Sequence, residues 1–459
     1  MGFFLLQGIK VAKMFKRDMS TISQTFMSGL STWPAVLRPV LLLLPHGGSL
    51  VVQSREEVGI PKPGFGLRLL ARVWRSWLFC WVLLACSSAR ALPPVYIGLD
   101  AEFGNKSSTS AQAILQGIEI AVDEVNRAGG VLGGRPLQVL VRDNKSITAV
   151  GIDNLKELAA VPDLVAVFGG KFSPVYIESL PVVHDIGILL LDPWGSADII
   201  TDHGYKPSYS FRLSIKDSWV APAVVRFAKN HHAATQLGVL LPNTSWGRSN
   251  KLAIEKAAAA SGATVVGLRW YNWGDVSLLQ SYNDLRMAGA QAIFLVANEA
   301  EGAIFVKEVA ALDPKSRLPI ISHWGVTGGD FAKIAGDALD QIEFSVVQSF
   351  SFINNETPAA RRVVSAMQKR YGVPSAQAIK SPVGVAHAYD LTHLLARAID
   401  EAGSTNRARI RRAMESLGRY RGLVKDYRQP FTKQRHDALS ADLLFFARYN
   451  SKDELVPVR

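Results

Sequence analysis

From Val95 onward, short β-branched runs alternate with longer segments whose apolar residues recur at helical spacing, and this rhythm restricts the fold more than any other feature. Val95 to Asp100 reads as a buried strand. Ala111 to Ala128 follows, with Ile114, Ile118, Ala121, Val122 and Val125 on one helical face and a stop at Gly129-Gly130. Leu137 to Arg142, Val165 to Phe168 and Ile188 to Asp192 are further strands, separated by helices over Ala149 to Ala160 and Ser173 to His184. Single strands each followed by a helix cannot pair as hairpins, so the pattern predicts a parallel, doubly wound sheet. The rhythm restarts after Phe211-Arg212. Strands are expected at Leu237 to Leu241, Val265 to Trp270, Ala292 to Val296 and Pro319 to Ile321, with a helix over Trp246 to Ser261; the tail adds a helix at Val385 to Ala402 and β-like pieces at Leu443 to Tyr449 and Leu455 to Val458. Two successive units make a two-lobed α/β protein.

The segment before this body has a different logic. Around Trp77 to Ala85 lies an apolar run of about ten residues, too short to span a bilayer and of the length of a signal-peptide core, preceded by Arg68, Arg72 and Arg75. Ala89-Arg90-Ala91 is a small-x-small cleavage triplet that would leave Leu92 as the mature start. Leu83-Leu84-Ala85-Cys86 resembles a bacterial lipobox, which would make a lipidated Cys86 the first residue. Both addresses mean export to the periplasm and differ only on anchoring. Residues 67–91 are therefore expected to be a signal peptide, and 1–66 an extension upstream of the true translation start or a poorly ordered one.

Charge and cysteine usage narrow the function classes. Of the formal charge of +12, eleven Lys and Arg against three Asp and Glu lie before Leu92, which leaves 40 basic against 36 acidic residues in the body. That balance excludes a nucleic-acid footprint. Both cysteines, Cys80 and Cys86, sit in the signal region, so the body has no thiolate nucleophile and no cysteine-ligated zinc. There is no G-x-S-x-G, phosphate-binding glycine loop or H-E-x-x-H. Gly328 to Phe331, "GGDF", reads as a glycine turn; His387 and His393 do not share a helix face well enough to hold a metal. No enzyme activity, cofactor or metal is expected, and the chain is expected to be monomeric.

The stretch "GIEIAVDEVNRAGGVLGGRPLQVLVRDNKS" (Gly117 to Ser146) resembles the branched-chain amino acid type of ABC-transporter solute-binding protein, the type I periplasmic binding proteins. "FGGKFSPVYIESLP", "LLLDPWGSADIIT", "LLPNTSWGRSN", "ISHWGVTGGDF" and "AHAYDLTHLLARAI" follow in the family's order. The resemblance covers Val95 to Val458 and implies two Rossmann-like lobes joined by three hinge crossings, near Leu213 to Lys216, Gly325 to Val346 and Gly422 to Tyr427, with a small-molecule ligand enclosed between them and delivered to a membrane permease. It implies a body, 92–459, with lobe 1 at about 95–213 and 346–422 and lobe 2 at about 217–324 and 427–459.

Ligands of open α/β sheets sit beyond the carboxyl ends of the strands. Glu102 and Phe103 follow the first strand, and the carboxylate could receive a ligand ammonium. Ser173 reads as a helix N-cap with Pro174 at the first helical position, a turn whose free amides bind carboxylates; the resemblance makes it the hydroxyl on the ligand's carboxylate, with Ser196 completing that grip and Lys171 either adding charge or pointing to water. Trp194 stands where the family often has a small residue, which suggests a stacked planar ligand or a shrunken pocket. Trp246 matches the family's covering aromatic. Trp324, with His323, occupies the place of the acid that holds an α-ammonium in amino-acid binders; Glu299 and Glu102 are the acids that could substitute. An amino-acid-like, amide-like or aromatic-acid solute is expected. Regulatory sensing by the same module, and a secreted α/β hydrolase, are the alternatives.

Overall fold

The computed structural model describes residues 92–458; the expected signal peptide, both cysteines and both cleavage addresses lie outside them. Five parallel strands form the first sheet: β1 (Val95–Ala101), β2 (Leu137–Asp143), β3 (Leu164–Gly169), β4 (Leu189–Asp192) and β5 (Ser210–Arg212), in the order β2-β1-β3-β4-β5. Between them run α1 (Ser110–Arg127), α2 (Thr148–Ala159) and α3 (Ser173–Ile186). Both faces of this sheet are covered, as parallel sheets require. Leu189 and Leu191 of β4 join the main core with Ile114 and Ile118 of α1, while Leu190 between them joins a second cluster with Leu155 of α2 and Leu180 of α3. A continuous apolar run in the sequence is what such a two-faced strand needs.

The second sheet has the order β14-β13-β10-β9-β8-β6-β7. Its parallel strands are β6 (Gln236–Pro242), β7 (Thr264–Tyr271), β8 (Ala292–Leu295), β9 (Ile320–Ser322) and β10 (Phe344–Gln348), and an antiparallel pair, β13 (Phe445–Tyr449) and β14 (Leu455–Pro457), extends the β10 side. The helices α4 (Asp217–His232), α5 (Ser245–Ser261), α6 (Leu279–Met287), α7 (Glu299–Ala310) and the short α8 (Phe331–Ala335) belong to this part of the chain. Then α9 (Pro358–Tyr371), α10 (Pro382–Ala402) and α11 (Arg407–Ser416) return to the first sheet. There α10 packs along α1 so closely that a Cβ on Gly117 would lie 2.3 Å from the Val385 carbonyl oxygen, which is why only glycine fits at that crossing.

The chain passes between the sheets three times. The first passage follows β5. The expected second passage at Gly325 to Val346 is displaced: β10 remains paired in the second sheet, so the chain leaves only after Gln348. The third is displaced as well. Tyr420–Arg421 and Asp426–Tyr427 form a small hairpin, β11 and β12, wrapped around Asp390 of α10, which accepts from the Leu423 and Val424 amides and the Tyr427 hydroxyl at 2.6 to 2.9 Å. Only beyond it do residues 436–438 cross, running parallel to Arg212.

That crossing carries a buried ionic cluster. Arg212 is fully buried, its Nε donating to Asp437 Oδ1 at 2.7 Å and a terminal nitrogen donating to the Ala197 carbonyl at 2.8 Å. Lys216 lies 3.5 Å from the other Asp437 oxygen and also pairs with Asp202. Burial alone would raise the Asp437 carboxyl, but the charges of Arg212 and Lys216 hold it below its usual value. Asp437→Ala leaves the buried Arg212 without its carboxylate and Lys216 with Asp202 alone, and is expected to cost about 3–5 kcal/mol, with Asp437→Asn losing less. The check is the urea midpoint at unchanged m-value, and a loss under about 1 kcal/mol would remove the cluster from the account of the hinge.

A second buried tie, His387 of α10, links the loop after β4 to the segment after β10. Its Nδ1–H donates to the Pro193 carbonyl at 3.0 Å, and its Nε2, 3.0 Å from the Ser349 hydroxyl, is left as acceptor. Burial drives its pKa down from 6.5 to about 4, with the bond to Pro193 opposing the shift. The unfolded chain therefore takes up this proton first: the contribution is complete above pH 6.5 and is lost as pH falls towards 4. Relative to His387→Gln, the natural protein should lose up to about 3 kcal/mol across that window in a pH series of unfolding curves. Parallel curves for the two proteins would show that His387 is not the group responsible.

Candidate functional site

The carboxyl ends of the parallel strands of both sheets converge on one nearly closed cavity, with about 10 Å³ of free space. That free space is well below the roughly 300–1,000 Å³ typical of ligand clefts, so a solute enters only when the cleft is wider than this. From the first sheet it is lined by Lys171, Phe172, Ser173 and Pro174 after β3, and by Trp194 and Ser196 after β4. The second sheet contributes Trp246, Trp273 after β7, Asn298 after β8, and Trp324 and Gly325 after β9.

Each wall residue is held by local chemistry. Asp192, at the end of β4, accepts from the amides of Trp194 and Gly195 at 2.9 and 2.6 Å, a tight turn that turns the chain at Trp194. Burial pushes the Asp192 carboxyl up to about 7, against the charge of Arg212 and those two amides. Trp194 is buried against Trp324, their ring centres 5.6 Å apart, so the pocket is narrowed by packing between the two tryptophans. Ser173 departs from the expected cap. It is the first residue of α3 with Phe172 as the extended residue before it, and Pro174 is second. Its hydroxyl accepts from the Ser196 and Ala197 amides at 3.2 and 3.4 Å, tying the two first-sheet loops together instead of closing its own helix.

Contacts between the two sides are of several kinds. Trp246, on α5 capped by Thr244, donates its Nε1–H to Ser196 Oγ at 3.0 Å. Phe172 meets Trp273 edge to face at 5.1 Å. Lys171 Nζ pairs with Glu299 Oε2 at 2.6 Å, both side chains almost wholly buried, and Glu299 Oε1 accepts from Ser107 at 3.0 Å. Glu299 lies in the first turn of α7, where the helix dipole favours a carboxylate. Finally, the backbone of residues 107–109 bonds to Gly328 and Asp330, and a Cβ on Gly329 would sit 2.3 Å from the Ser107 carbonyl oxygen. The glycines of "GGDF" serve that close approach.

Of the residues singled out by sequence, Ser173, Ser196, Trp194, Trp246 and Trp324 come together in the lining. Glu102, Phe103, Glu299 and His323 stand behind it. Glu102 is fully buried and accepts from Ser108, Ser110 and the Lys171 amide, so its role is to shape the loop after β1. Phe103 packs against the core. His323 is buried 3.1 Å from Asp217 and edge-on to Trp246. Phe172, Trp273 and Asn298 were missed: Phe172 lies in the loop after β3 that the strand-end rule had located, beside the Ser173 singled out there, and Trp273 and Asn298 lie where the same rule applied to β7 and β8 would have found them.

With this geometry in view, known proteins place the chain. The sequence model of the family described as "Periplasmic binding protein" matches residues 94–454. The Leu/Ile/Val-binding protein homolog 1 of Brucella abortus is 24% identical over 356 residues, covering 77% of this chain and 91% of that one. A periplasmic binding protein type 1 from Bordetella pertussis superposes with a TM-score of 0.70 at 19% identity, over 80% of this chain and 99% of that one. An ABC-transporter solute-binding protein from R. palustris, solved with 4-hydroxybenzoate, gives 0.67 at 15% identity over 80% and 96%. Two mainly parallel sheets sharing one cavity, matched across nearly all of the described residues, make this chain a member of the periplasmic binding protein family.

Proposed function

We propose that this chain is the extracytoplasmic receptor of an ABC importer, enclosing a small amino-acid-like, amide-like or aromatic-acid solute between its lobes and delivering it to a membrane permease. The observation that carries this reading is a cavity lined by strand-end loops of both sheets, next to three chain passages that allow the lobes to part and close. Ser173 and Ser196, with the adjacent amides, receive the polar head of the solute; Trp194, Trp246 and Trp324 enclose the remainder. Glu102, Phe103, Glu299 and His323 hold those walls in place. The receptor works in the periplasm, either free or lipid-anchored through Cys86, and the likeness to the ABC-transporter solute-binding protein from R. palustris supports a transport role over regulatory sensing.

A thermal-shift screen across amino acids, amides and aromatic acids should give at least one stabilising solute, since a ligand bound at 100 times its Kd raises stability by about 2.7 kcal/mol. No shift with any class would sink the receptor reading. Ser196→Ala leaves the Trp246 N–H without its acceptor, and Ser173→Ala frees the loop amides. Each is expected to weaken binding of that solute by about 1–3 kcal/mol by calorimetry, and an unchanged Kd would remove the residue from the site.

A further inference from the structure

The charge on the cavity wall has one sign. Lys171 is the only formally charged residue in the lining, and no carboxylate faces the cavity. Both acids that could have received an ammonium are already committed to the chain's own donors. Glu299 holds the Lys171 ammonium and the Ser107 hydroxyl; Glu102 holds two hydroxyls and an amide. A solute ammonium would therefore be desolvated beside another cation with no counter-charge left for it.

Donors, in contrast, are in surplus. Lys171 has three N–H groups, and Glu299 Oε2 and the Gly328 carbonyl meet two of them. Trp273 Nε1 is shielded from solvent and has no hydrogen-bond partner. These donors flank one ring: Lys171 Nζ lies 5.2 Å, and the Trp273 ring 5.1 Å, from the centre of Phe172. Asn298 adds a side-chain amide that makes no capping bond to its helix. Five of the eleven lining residues are aromatic, which offers flat apolar walls to a ring. Aromatic walls also attract cations, but here the Lys171 charge opposes that attraction.

Building on the receptor reading, we propose that the solute is a planar aromatic carboxylate without an ammonium group. Its carboxylate is received by Lys171 and the Trp273 N–H beside the Ser173 and Ser196 hydroxyls, and its ring lies among the cleft tryptophans. Lys171 itself occupies the acid that an α-amino acid would need.

Titration calorimetry of the purified protein with benzoate, 3-phenylpropanoate, L-phenylalanine, L-leucine and choline tests this. Phenylalanine differs from 3-phenylpropanoate by the ammonium alone and should bind at least about tenfold more weakly, with leucine and choline weaker still. Tighter binding of phenylalanine, leucine or choline than of both aromatic acids overturns the inference and leaves the receptor intact. Silence from all five overturns it too, and the broad thermal-shift screen then decides separately whether the receptor reading falls with it. Trp273→Phe keeps the ring and removes the donor, so benzoate affinity should drop roughly 10- to 100-fold; equal affinity in a variant with unchanged melting temperature removes Trp273 from the site. Lys171→Met, if it folds, should narrow the gap between 3-phenylpropanoate and phenylalanine, and an unchanged gap overturns the role of the Lys171 charge.

Discussion

A fully buried arginine couples the hinge to the binding cleft. Arg212 exchanges backbone bonds with the returning strand, receiving from Ala438 and donating to His436, while its guanidinium reaches Asp437 on that strand and Ala197 in the loop after β4. Such a charge is tolerated in the interior only because its donors are met and a carboxylate balances it. Ala197 in turn donates to Ser173, and its neighbour Ser196 accepts from Trp246. Hinge, first-sheet loops and cleft wall thus form one continuous hydrogen-bonded unit.

The closed cleft is held by contacts the protein makes with itself. Backbone bonds between residues 107–109 and 328–330, the Lys171–Glu299 pair and the tryptophan bond to Ser196 all join the two sides. A solute has to be admitted while these are open, and only its additional contacts favour the closed form with solute over the closed form without. Apparent affinity falls by the fraction of molecules able to accept it, so self-closure and affinity are set by the same contacts. The Lys171–Glu299 pair matters most here because its charges lose water on closing, which makes the net gain from the pair small while the penalty for an unmatched partner is large.

Much of this was legible in the chain. Strands buried on both faces read as uninterrupted apolar runs, and Ile114, Ile118 and Val122 at helical spacing mark the face of α1 that meets the core. Loops after β3 and β4 were located by the strand-end rule. The partner of Lys171 was not legible, because Glu299 lies 128 residues away and nothing local to either side chain signals the pair. Nor was the true second passage: the 3₁₀ turns over Trp324–Gly328 and Gly336–Gln341 look like a departure from the sheet, yet the chain comes back to form β10. Ser173 carries the local pattern of a cap, but a neighbouring loop with unmet amides competes for its hydroxyl and wins.

Trp194 sets the depth of the cleft. Asp192 fixes the amide before its side chain, Ser214 donates to its carbonyl at 2.9 Å, and a Cβ on Gly384 of α10 would lie 2.8 Å from its ring, so the indole is clamped from the chain, from the hinge and from below. A side chain pinned on three sides cannot swing aside to admit a longer solute. Trp273 is different: it sits in a turn after the edge strand β7, is only partly buried, and has no polar partner to lose. Its edge-to-face contact with Phe172 and its packing on the core hold it in place. The wall at Trp194 is thus the more tightly held of the two, and the wall at Trp273 the less.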